Sequence, residues 1–261
     1  MFPRGGLLYL TNACYLNCRH CGIVNNKNPL FLRDDLFDLF MKLLKEHKCY
    51  IVAVSGGEPL LHPNCFEYIK KIRKNGMLPV LGISGVYLSD EILDKIKKAN
   101  VGCIQVSIDG IDELSNAMFR GKENFNKVIT NIEKLKNAGI RVNVATCISK
   151  ENIYLIDRLL EFLYKLNVYQ IKIQFWKKYK NNHFFHELND EDKNYVYKKV
   201  KDFVTEHKMY DWANIDIDYK IDCRKDKKLV MFPNGNIFDG EGDKFVGKID
   251  KDMEQIEQYY E

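Results

Sequence analysis

The sequence predicts an α/β fold with a parallel sheet, for two reasons. Six short apolar segments alternate along residues 6–176 with five amphipathic segments of helical period. Each connection is long enough to bring the chain back for a parallel, right-handed crossover. Six strands are fewer than the eight of a closed barrel, so an open partial barrel and a doubly wound sheet both fit.

The strands are predicted from runs of apolar and β-branched residues that are bounded by turns or helices. They are expected at 6–11, 49–55, 77–84, 101–109, 140–149 and 168–176. The segment at 49–55 is almost continuously apolar, which is typical of a strand that is buried on both faces.

The helices are predicted from apolar residues at helical spacing and from residues that favour helix ends. They are expected at 34–47, 64–75, 89–100, 124–139, 151–167 and 190–208. Ser89 is a favourable N-cap, and Gly76 is typical of the position just after a helix. From about residue 211 the chain is β-like, with a turn at 233–235 and a possible short helix at the end.

Composition limits the classes of protein that this chain can represent. Lys and Arg number 40 against 36 Asp and Glu, so the net charge of +4 is too balanced for a chain that depends on nucleic-acid phosphates, which leaves only a local basic patch for such binding. The chain has 46% hydrophobic and 29% charged residues, which excludes disorder, and it has no apolar run that could span a membrane. With no secretory signal, we expect a cytoplasmic protein whose eight cysteines are not disulfide-bonded.

Three of the eight cysteines lie within eight residues, at Cys14, Cys18 and Cys21. Clustered thiols in a reducing compartment favour a metal site over core packing. Zinc needs a fourth ligand, and His20 is poorly placed because it directly precedes a cysteine. A [4Fe–4S] cluster held by three cysteines would keep one iron open for another ligand. The spacing favours iron–sulfur, while zinc and a metal-free cluster of thiols remain alternatives.

A second motif, S-G-G-E-P at 55–59, ends the predicted strand 49–55. Glycines there allow a ligand to approach the backbone closely, and the Glu58 carboxylate can accept hydrogen bonds from an ammonium group. Ligands of α/β sheets bind at the carboxyl ends of the strands, where the cysteine segment also lies. A plain turn between strand and helix is the alternative for this motif.

The C-x3-C-x2-C segment after a first strand and GGEP after a second resemble the radical S-adenosylmethionine (SAM) superfamily over residues 6–176. The resemblance implies a (β/α)6 partial TIM barrel and an enzyme that cleaves SAM reductively to a 5′-deoxyadenosyl radical. It implies that Cys14, Cys18 and Cys21 bind three irons of one [4Fe–4S] cluster while SAM chelates the fourth. Gly56, Gly57 and Glu58 would hold the methionyl part of SAM.

Other family positions follow from the same resemblance. Ser84, in I-S-G-V, stands where relatives often have Thr. The segment S-I-D-G with a following R-G is similar to peptide-modifying and sulfatase-maturating enzymes. It would place Ser107 and Asp109 near the SAM ribose or the substrate, and Arg120 at the SAM carboxylate. Asn152 is either a residue near the cofactor or an N-cap.

The tail resembles the extension that binds auxiliary clusters in that subfamily, but it lacks the cysteines. We therefore expect a core at 1–208 and a degenerate SPASM/twitch-like α+β extension at 209–261 without clusters. Cys223 is then a buried thiol, a hydrogen-atom donor to a substrate radical, or a residue of another role.

The resemblance implies a peptide or protein substrate and a reaction such as epimerisation, crosslinking or oxidation. A small-molecule or nucleotide substrate is the alternative within this chemistry, and a non-enzymatic iron–sulfur or zinc protein is the alternative outside it. An electron donor such as flavodoxin or ferredoxin would be a partner, while DNA and membranes would not. The basic, aromatic segment 177–186 would lie at the barrel mouth, as a substrate contact or as a solvated loop.

Overall fold

A computed structural model describes residues 3–23, 28–178, 184–208, 215–217, 228–240 and 244–260. Cys223 lies outside the described residues, as does part of the predicted loop 177–186. None of the helices in the described part of the chain is long and apolar enough to cross a membrane.

The six predicted strands all form, and they pair in parallel in the order of the chain. They are Gly5–Tyr9 (β1), Ile51–Ser55 (β2), Leu78–Gly82 (β3), Cys103–Ser107 (β4), Val142–Ile148 (β5) and Gln170–Phe175 (β6). A doubly wound sheet reverses its strand order at a switch point, whereas a barrel keeps chain order. The observed order, in a sheet that does not close, therefore confirms the open partial barrel.

Among the described residues, six α-helices lie between these strands along the chain, and a seventh follows β6. They are Asp34–Glu46 (α1), Cys65–Lys74 (α2), Asp90–Lys98 (α3), Glu113–Arg120 (α4), Phe125–Asn137 (α5), Ile156–Lys165 (α6) and Asp190–Glu206 (α7). Ser89 caps α3 as predicted, because its side chain accepts from the N–H of Ile92 at 3.2 Å. The sequence missed α4, which buries only Asn116 and Phe119 and so shows no apolar stripe.

The strands alternate between a fully buried face and a half-buried face, and β2 shows this clearly. Val52 and Val54 are completely buried, while Ile51, Ala53 and Ser55 are only partly covered. The prediction that residues 49–55 are buried on both faces is therefore wrong. The face that carries Ile51, Ala53 and Ser55 is only half-buried, because it lines the interior of a barrel that does not close. On that inner face, Ser107, Ala145 and Lys172 share one register across β4, β5 and β6.

The C-terminal part continues the same sheet beyond β1. Strand Lys228–Met231 (β8) pairs in parallel with β1, and Asn236–Asp239 (β9) and Phe245–Lys248 (β10) follow in antiparallel order. The turn predicted at 233–235 joins β8 to β9, with Gly235 at φ 83°. On the other side of the sheet, Ile215–Ile217 (β7) pairs with β6.

A short C-terminal helix, Met253–Tyr260 (α8), packs against β10, as expected for the end of the chain. Asp252, just before the helix, accepts from Lys248 N–H, and Gln255 within it donates to the Val246 carbonyl, at 2.8 Å each. These bonds cover backbone groups of a strand at the edge of the sheet. The division into 1–208 and 209–261 stays a prediction, although apolar residues of β8, β9 and α8 belong to the main core.

Because the C-terminal part shares the main core, we expect it to unfold together with the barrel. Met231 on β8 is completely buried in the main core. We expect Met231→Ala to lower the free energy of unfolding by about 2–5 kcal/mol and to leave a single transition in urea, followed by circular dichroism. Phe245→Ala, at a half-exposed ring on β10, is the control. A separate early transition in Met231→Ala would show that the C-terminal part unfolds alone.

Candidate functional site

The two sequence motifs meet at the carboxyl ends of β1 and β2, where the backbone ladder of these strands runs on into the loops. Leu10 N–H donates to the Ser55 carbonyl at 2.9 Å. Beyond it, Gly57 N–H donates to the Thr11 carbonyl and Glu58 N–H to the Ala13 carbonyl, both at 2.7 Å. The GGE segment therefore fixes the chain immediately before Cys14.

Close approach between these loops requires glycine at positions 56 and 57. A Cβ on Gly57 would lie 2.2 Å from the Ala13 carbonyl oxygen, and one on Gly56 would lie 2.5 Å from that of Thr11. Both distances are far inside van der Waals contact. The sequence attributed these glycines to ligand approach, and the structure adds that they let the two motifs touch.

Thr11 and Asn12 bind the chain that returns after the cysteines. The fully buried Thr11 donates through its hydroxyl to the Leu30 carbonyl at 2.7 Å and accepts from Ala13 N–H at 2.9 Å. Asn12 accepts from Leu30 N–H through its side-chain oxygen at 2.6 Å. The segment that carries the cysteines is therefore bonded at its start to two neighbouring stretches of chain.

The three cysteines are free thiols at the barrel mouth. Cys18 is buried, while Cys14 and Cys21 are partly exposed. Burial raises the pKa of the Cys18 thiol to about 11, and it also raises the pKa of Cys14, while the positive charge of Arg120 opposes both shifts. Backbone N–H groups of Leu16 and Ile23 point at Cys14 and Cys21 with N···S distances of 3.4 Å.

This donor set fits an iron–sulfur cluster better than a single zinc ion. Sulfur ligands select zinc or iron–sulfur clusters, and N–H···S bonds are a usual feature of cluster environments. No fourth protein ligand stands beside the three thiols to complete the closed set that a structural zinc ion takes, and among the described residues no three His, Cys, Asp or Glu side chains form a ready single-ion site. A cubane takes one thiolate at each of its irons, so its ligands surround a larger volume.

Glu58 is completely buried beside the cysteine segment, and its carboxylate is held by backbone donors. One oxygen accepts from Ser84 N–H at 3.0 Å, and the other accepts from Leu60 N–H at 3.4 Å. Burial raises the pKa of Glu58, and the bonds from Ser84 oppose that shift. The hydroxyls of Ser84 and Tyr15 also bond to this carboxylate and lower its pKa. A carboxylate has about four acceptor positions, so a ligand ammonium group would take the place of one of these donors.

Ser84 is also brought to this place, together with an aromatic pair that the sequence did not single out. The Tyr15 hydroxyl lies 3.4 Å from the Ser84 hydroxyl. The Tyr15 ring packs edge-on against Tyr87 with a centroid distance of 4.3 Å, and both rings are partly exposed. Burial and the nearby Glu58 charge raise the pKa of Tyr15, which keeps its hydroxyl protonated.

Asp109 and Arg120 form a buried ion pair between the Arg120 Nε and the Asp109 Oδ2, 2.5 Å apart. The Asp109 side chain is completely buried, and that of Arg120 is 14% exposed. The second oxygen of Asp109 accepts from Cys147 N–H at 2.7 Å. Burial lowers the pKa of Arg120, but the charge and hydrogen bond of Asp109 act together with Cys18 and Cys147 to raise it above its ordinary value, so the guanidinium remains charged.

Asn152 bonds the ends of two strands together. Its amide donates to the Asp109 carbonyl at 3.1 Å and to the Cys147 carbonyl at 2.9 Å, and its oxygen accepts from Ser149 N–H at 2.8 Å. It stands at the N-cap position of a short 3-10 turn without making a side-chain capping bond. Ser107 lies on the inner face of β4, two residues before Asp109.

A small aromatic cluster covers the end of the cysteine segment, and sequence reasoning missed it. Phe119, Trp176 and Phe185 pack together, apart from the main core, and His20 lies against them. On its other side, the His20 ring faces Asp109, with 3.8 Å between His20 Nε2 and Asp109 Oδ2. The sequence did carry a signal for Trp176, because a residue that directly follows the carboxyl end of a barrel strand lies at the barrel mouth.

The contact between Gly57 and Ala13 predicts the effect of adding one methyl group. Gly57→Ala should cost about 1–3 kcal/mol and displace the chain before Cys14, so that less iron is bound after anaerobic reconstitution. Gly82→Ala on β3 is the control, since its Cβ would meet no atom closer than 3.7 Å. Equal iron contents and unfolding midpoints for the two variants would contradict this account.

The buried ion pair predicts a strong dependence of stability on Asp109. We expect Asp109→Ala to cost about 3–5 kcal/mol, because it leaves the buried Arg120 charge without a partner. Glu91→Ala removes one member of an exposed pair with Lys95 and should cost less than about 1 kcal/mol. Urea unfolding of both variants beside the wild type measures the difference, and equal losses would contradict the assignment.

Comparison with known proteins agrees with this geometry. Residues 8–163 match the radical SAM superfamily. The AdoMet-dependent heme synthase of Methanosarcina barkeri is 33% identical over 160 residues, which are 60% of this chain and 46% of that protein. SuiB of Streptococcus suis with bound S-adenosylmethionine superposes with a TM-score of 0.76 at 14% identity, over 100% of this chain and 66% of SuiB.

A second solved structure, anSMEcpe with bound AdoMet, has a TM-score of 0.75 at 17% identity and covers 98% of this chain and 77% of its own. These structural likenesses support the fold, and the family match covers more than half of the sequence. The match to the curated heme synthase spans about half of that relative's length. The chain belongs to the radical SAM superfamily, whose cofactors are a [4Fe–4S] cluster and S-adenosylmethionine.

Proposed function

We propose that this chain is a radical SAM enzyme that cleaves S-adenosylmethionine reductively and abstracts hydrogen from a peptide or protein substrate. The observation that carries the proposal is the junction of the two motifs. The GGE backbone bonds the chain at Thr11 and Ala13, which places a buried carboxylate next to three clustered thiols. An ammonium-binding group beside an iron site is what SAM chelation requires.

The cysteine segment would bind the cluster, and the GGE segment would bind SAM. Cys14, Cys18 and Cys21 would bind three irons, while Gly56, Gly57 and Glu58, with Ser84, would hold the methionyl part of SAM. With one electron from an external donor such as flavodoxin or ferredoxin, the bound cluster and SAM would supply a reductive cleavage to methionine and a 5′-deoxyadenosyl radical. The negative charge of Glu58 would orient the ammonium group, and its burial would strengthen that pairing.

Arg120 and Asp109 would complete the SAM site in two different ways. Asp109 engages the Nε of Arg120, and we assign the remaining guanidinium nitrogens to the SAM carboxylate. Asp109 itself is buried and bonded within the protein, so its role is to position Arg120. Ser107 lies on the half-buried inner face of the sheet, where it would contact the ribose or the substrate.

A peptide substrate is supported by the structures that share this fold. SuiB has been solved with the precursor peptide SuiA, and anSMEcpe has been solved with the Kp18Cys peptide. The inner face of the sheet also carries polar side chains that suit an amide-rich substrate: Gln105, Ser107, Asn143, Lys172 and Gln174.

A small-molecule or nucleotide substrate is the second candidate, and sequence identity favours it. The relative with 33% identity is named as a heme synthase, and a probable GTP 3′,8-cyclase of Sulfolobus acidocaldarius is 26% identical over 166 residues. Incubation with candidate peptides, porphyrins and GTP, followed by mass spectrometry, separates the two substrate classes. Modification of a porphyrin or of GTP, with peptides unchanged, would replace the first candidate with the second.

The proposed activity is tested by SAM cleavage. Reconstituted protein with SAM and dithionite, or with reduced flavodoxin or ferredoxin, should release 5′-deoxyadenosine, measured by liquid chromatography. The variant with Cys14, Cys18 and Cys21 changed to Ala should release none. A wild-type protein that binds iron but forms no 5′-deoxyadenosine under any of these conditions would support a structural iron–sulfur protein instead.

The buried position of Glu58 predicts a specific loss of SAM affinity. In Glu58→Gln the amide oxygen can still accept from Ser84, but the negative charge is lost. A charge-assisted bond is worth about 1.5–3 kcal/mol, so we expect a roughly ten- to hundred-fold higher Kd for SAM with iron content unchanged.

Equilibrium dialysis of the reconstituted protein measures this Kd. Glu67→Gln is the control, because Glu67 is an exposed carboxylate on α2 that pairs with Lys70. An unchanged SAM affinity in Glu58→Gln would return Glu58 to the role of an ordinary turn residue.

A further inference from the structure

The cysteine segment, residues 14–21, is held at its end by groups from the far side of the barrel mouth. Arg19 N–H donates to the Phe119 carbonyl, at the end of α4, at 2.8 Å. The indole Nε1 of Trp176 donates to the His20 carbonyl at 3.1 Å. Both contacts fall between Cys18 and Cys21, and neither involves the GGE segment.

Trp176 is itself firmly placed. Its own N–H donates to the Ile148 carbonyl at 2.8 Å, which extends the β5–β6 ladder by one residue. The side chain is 4% exposed and packs against Phe185 at a centroid distance of 5.9 Å. The indole N–H is the only polar group of the tryptophan side chain, and it donates to the cysteine segment.

The cysteine segment is therefore bonded to the barrel at both ends. Gly57 and Glu58 hold the chain before Cys14, and Trp176 holds the chain before Cys21. A loop of eight residues that is fixed at both ends can adopt fewer conformations than one that is fixed at one end. Its thiols then need less rearrangement to bind a cluster.

We propose that Trp176 is a positioning residue for the cluster, acting through the His20 carbonyl on the placement of Cys18 and Cys21. The indole contacts neither iron nor SAM in this role. It preorganises the second half of the cysteine segment, as the GGE backbone preorganises the first half. The proposal rests on the cluster assignment, and reconstitution of the wild type tests that assignment separately.

The experiment compares three variants after anaerobic reconstitution. Trp176→Phe removes the N–H donor, and Phe185→Leu reduces the same aromatic packing but keeps the donor. Replacement of Trp176 by 3-benzothienylalanine keeps the shape of the ring without its N–H. Iron release to a chelator measures retention of the cluster, and hydrogen exchange of the full chain reports on residues 14–23.

We expect iron release about five-fold faster in Trp176→Phe and in the benzothienyl variant, the size of effect that follows from one lost hydrogen bond. In the same two variants, hydrogen exchange should accelerate at the backbone amides of Arg19 and Cys21. Their urea unfolding midpoints should stay near that of Phe185→Leu. Equal iron release from the benzothienyl variant and the wild type would overturn the proposal, even if Trp176→Phe fails to fold. Equal release from Phe185→Leu and the benzothienyl variant would overturn it as well. A wild type that takes up no cluster would instead refute the cluster assignment.

Discussion

The arrangement of the site depends on one short stretch of backbone pairing, the continuation of the β1–β2 ladder past the ends of both strands. Parallel strands place their carboxyl ends at the same edge, and here the pairing persists through Thr11 and Ala13 on one side and Gly57 and Glu58 on the other. Only glycine allows this approach, because any Cβ at 56 or 57 would overlap a carbonyl oxygen. The motif to which we assign the ligand ammonium group is thus also the motif that places the chain before the cysteines.

A second set of interactions, among buried polar groups, joins the remaining strands to the same mouth. Asp109 forms an ion pair with Arg120 and accepts from Cys147 N–H, and Asn152 donates to the carbonyls of Asp109 and Cys147. Buried polar groups of this kind are favourable only when their partners are present, so each strand end depends on the others. The guanidinium charge is held close enough to the cysteines to oppose the effect of burial on the thiol pKa values.

The sequence predicted the six barrel strands and the meeting of the two motifs at one edge of the sheet, because both signals are local. Strands follow from short apolar runs, and Cys14, Cys18 and Cys21 lie within eight residues. What it missed depends on contacts between distant residues. The bond from Trp176 to His20 joins positions 156 residues apart, and the pairing of β8 with β1 joins the two ends of the chain. Helix α4 was missed for a different reason, since its capping box at Asp112 and Ser115 is clear but its apolar stripe is not.

The central claim is that the cysteine segment binds one [4Fe–4S] cluster through three thiolates, and iron analysis after anaerobic reconstitution tests it most directly. The account predicts a brown protein with about four irons per chain in the wild type. It predicts almost none when Cys14, Cys18 and Cys21 are changed together to Ala and the sheet remains folded by circular dichroism. A near-full iron content in that triple variant would contradict it. So would about eight or more irons per wild-type chain, because a cluster holds about four and the excess would require a second cluster.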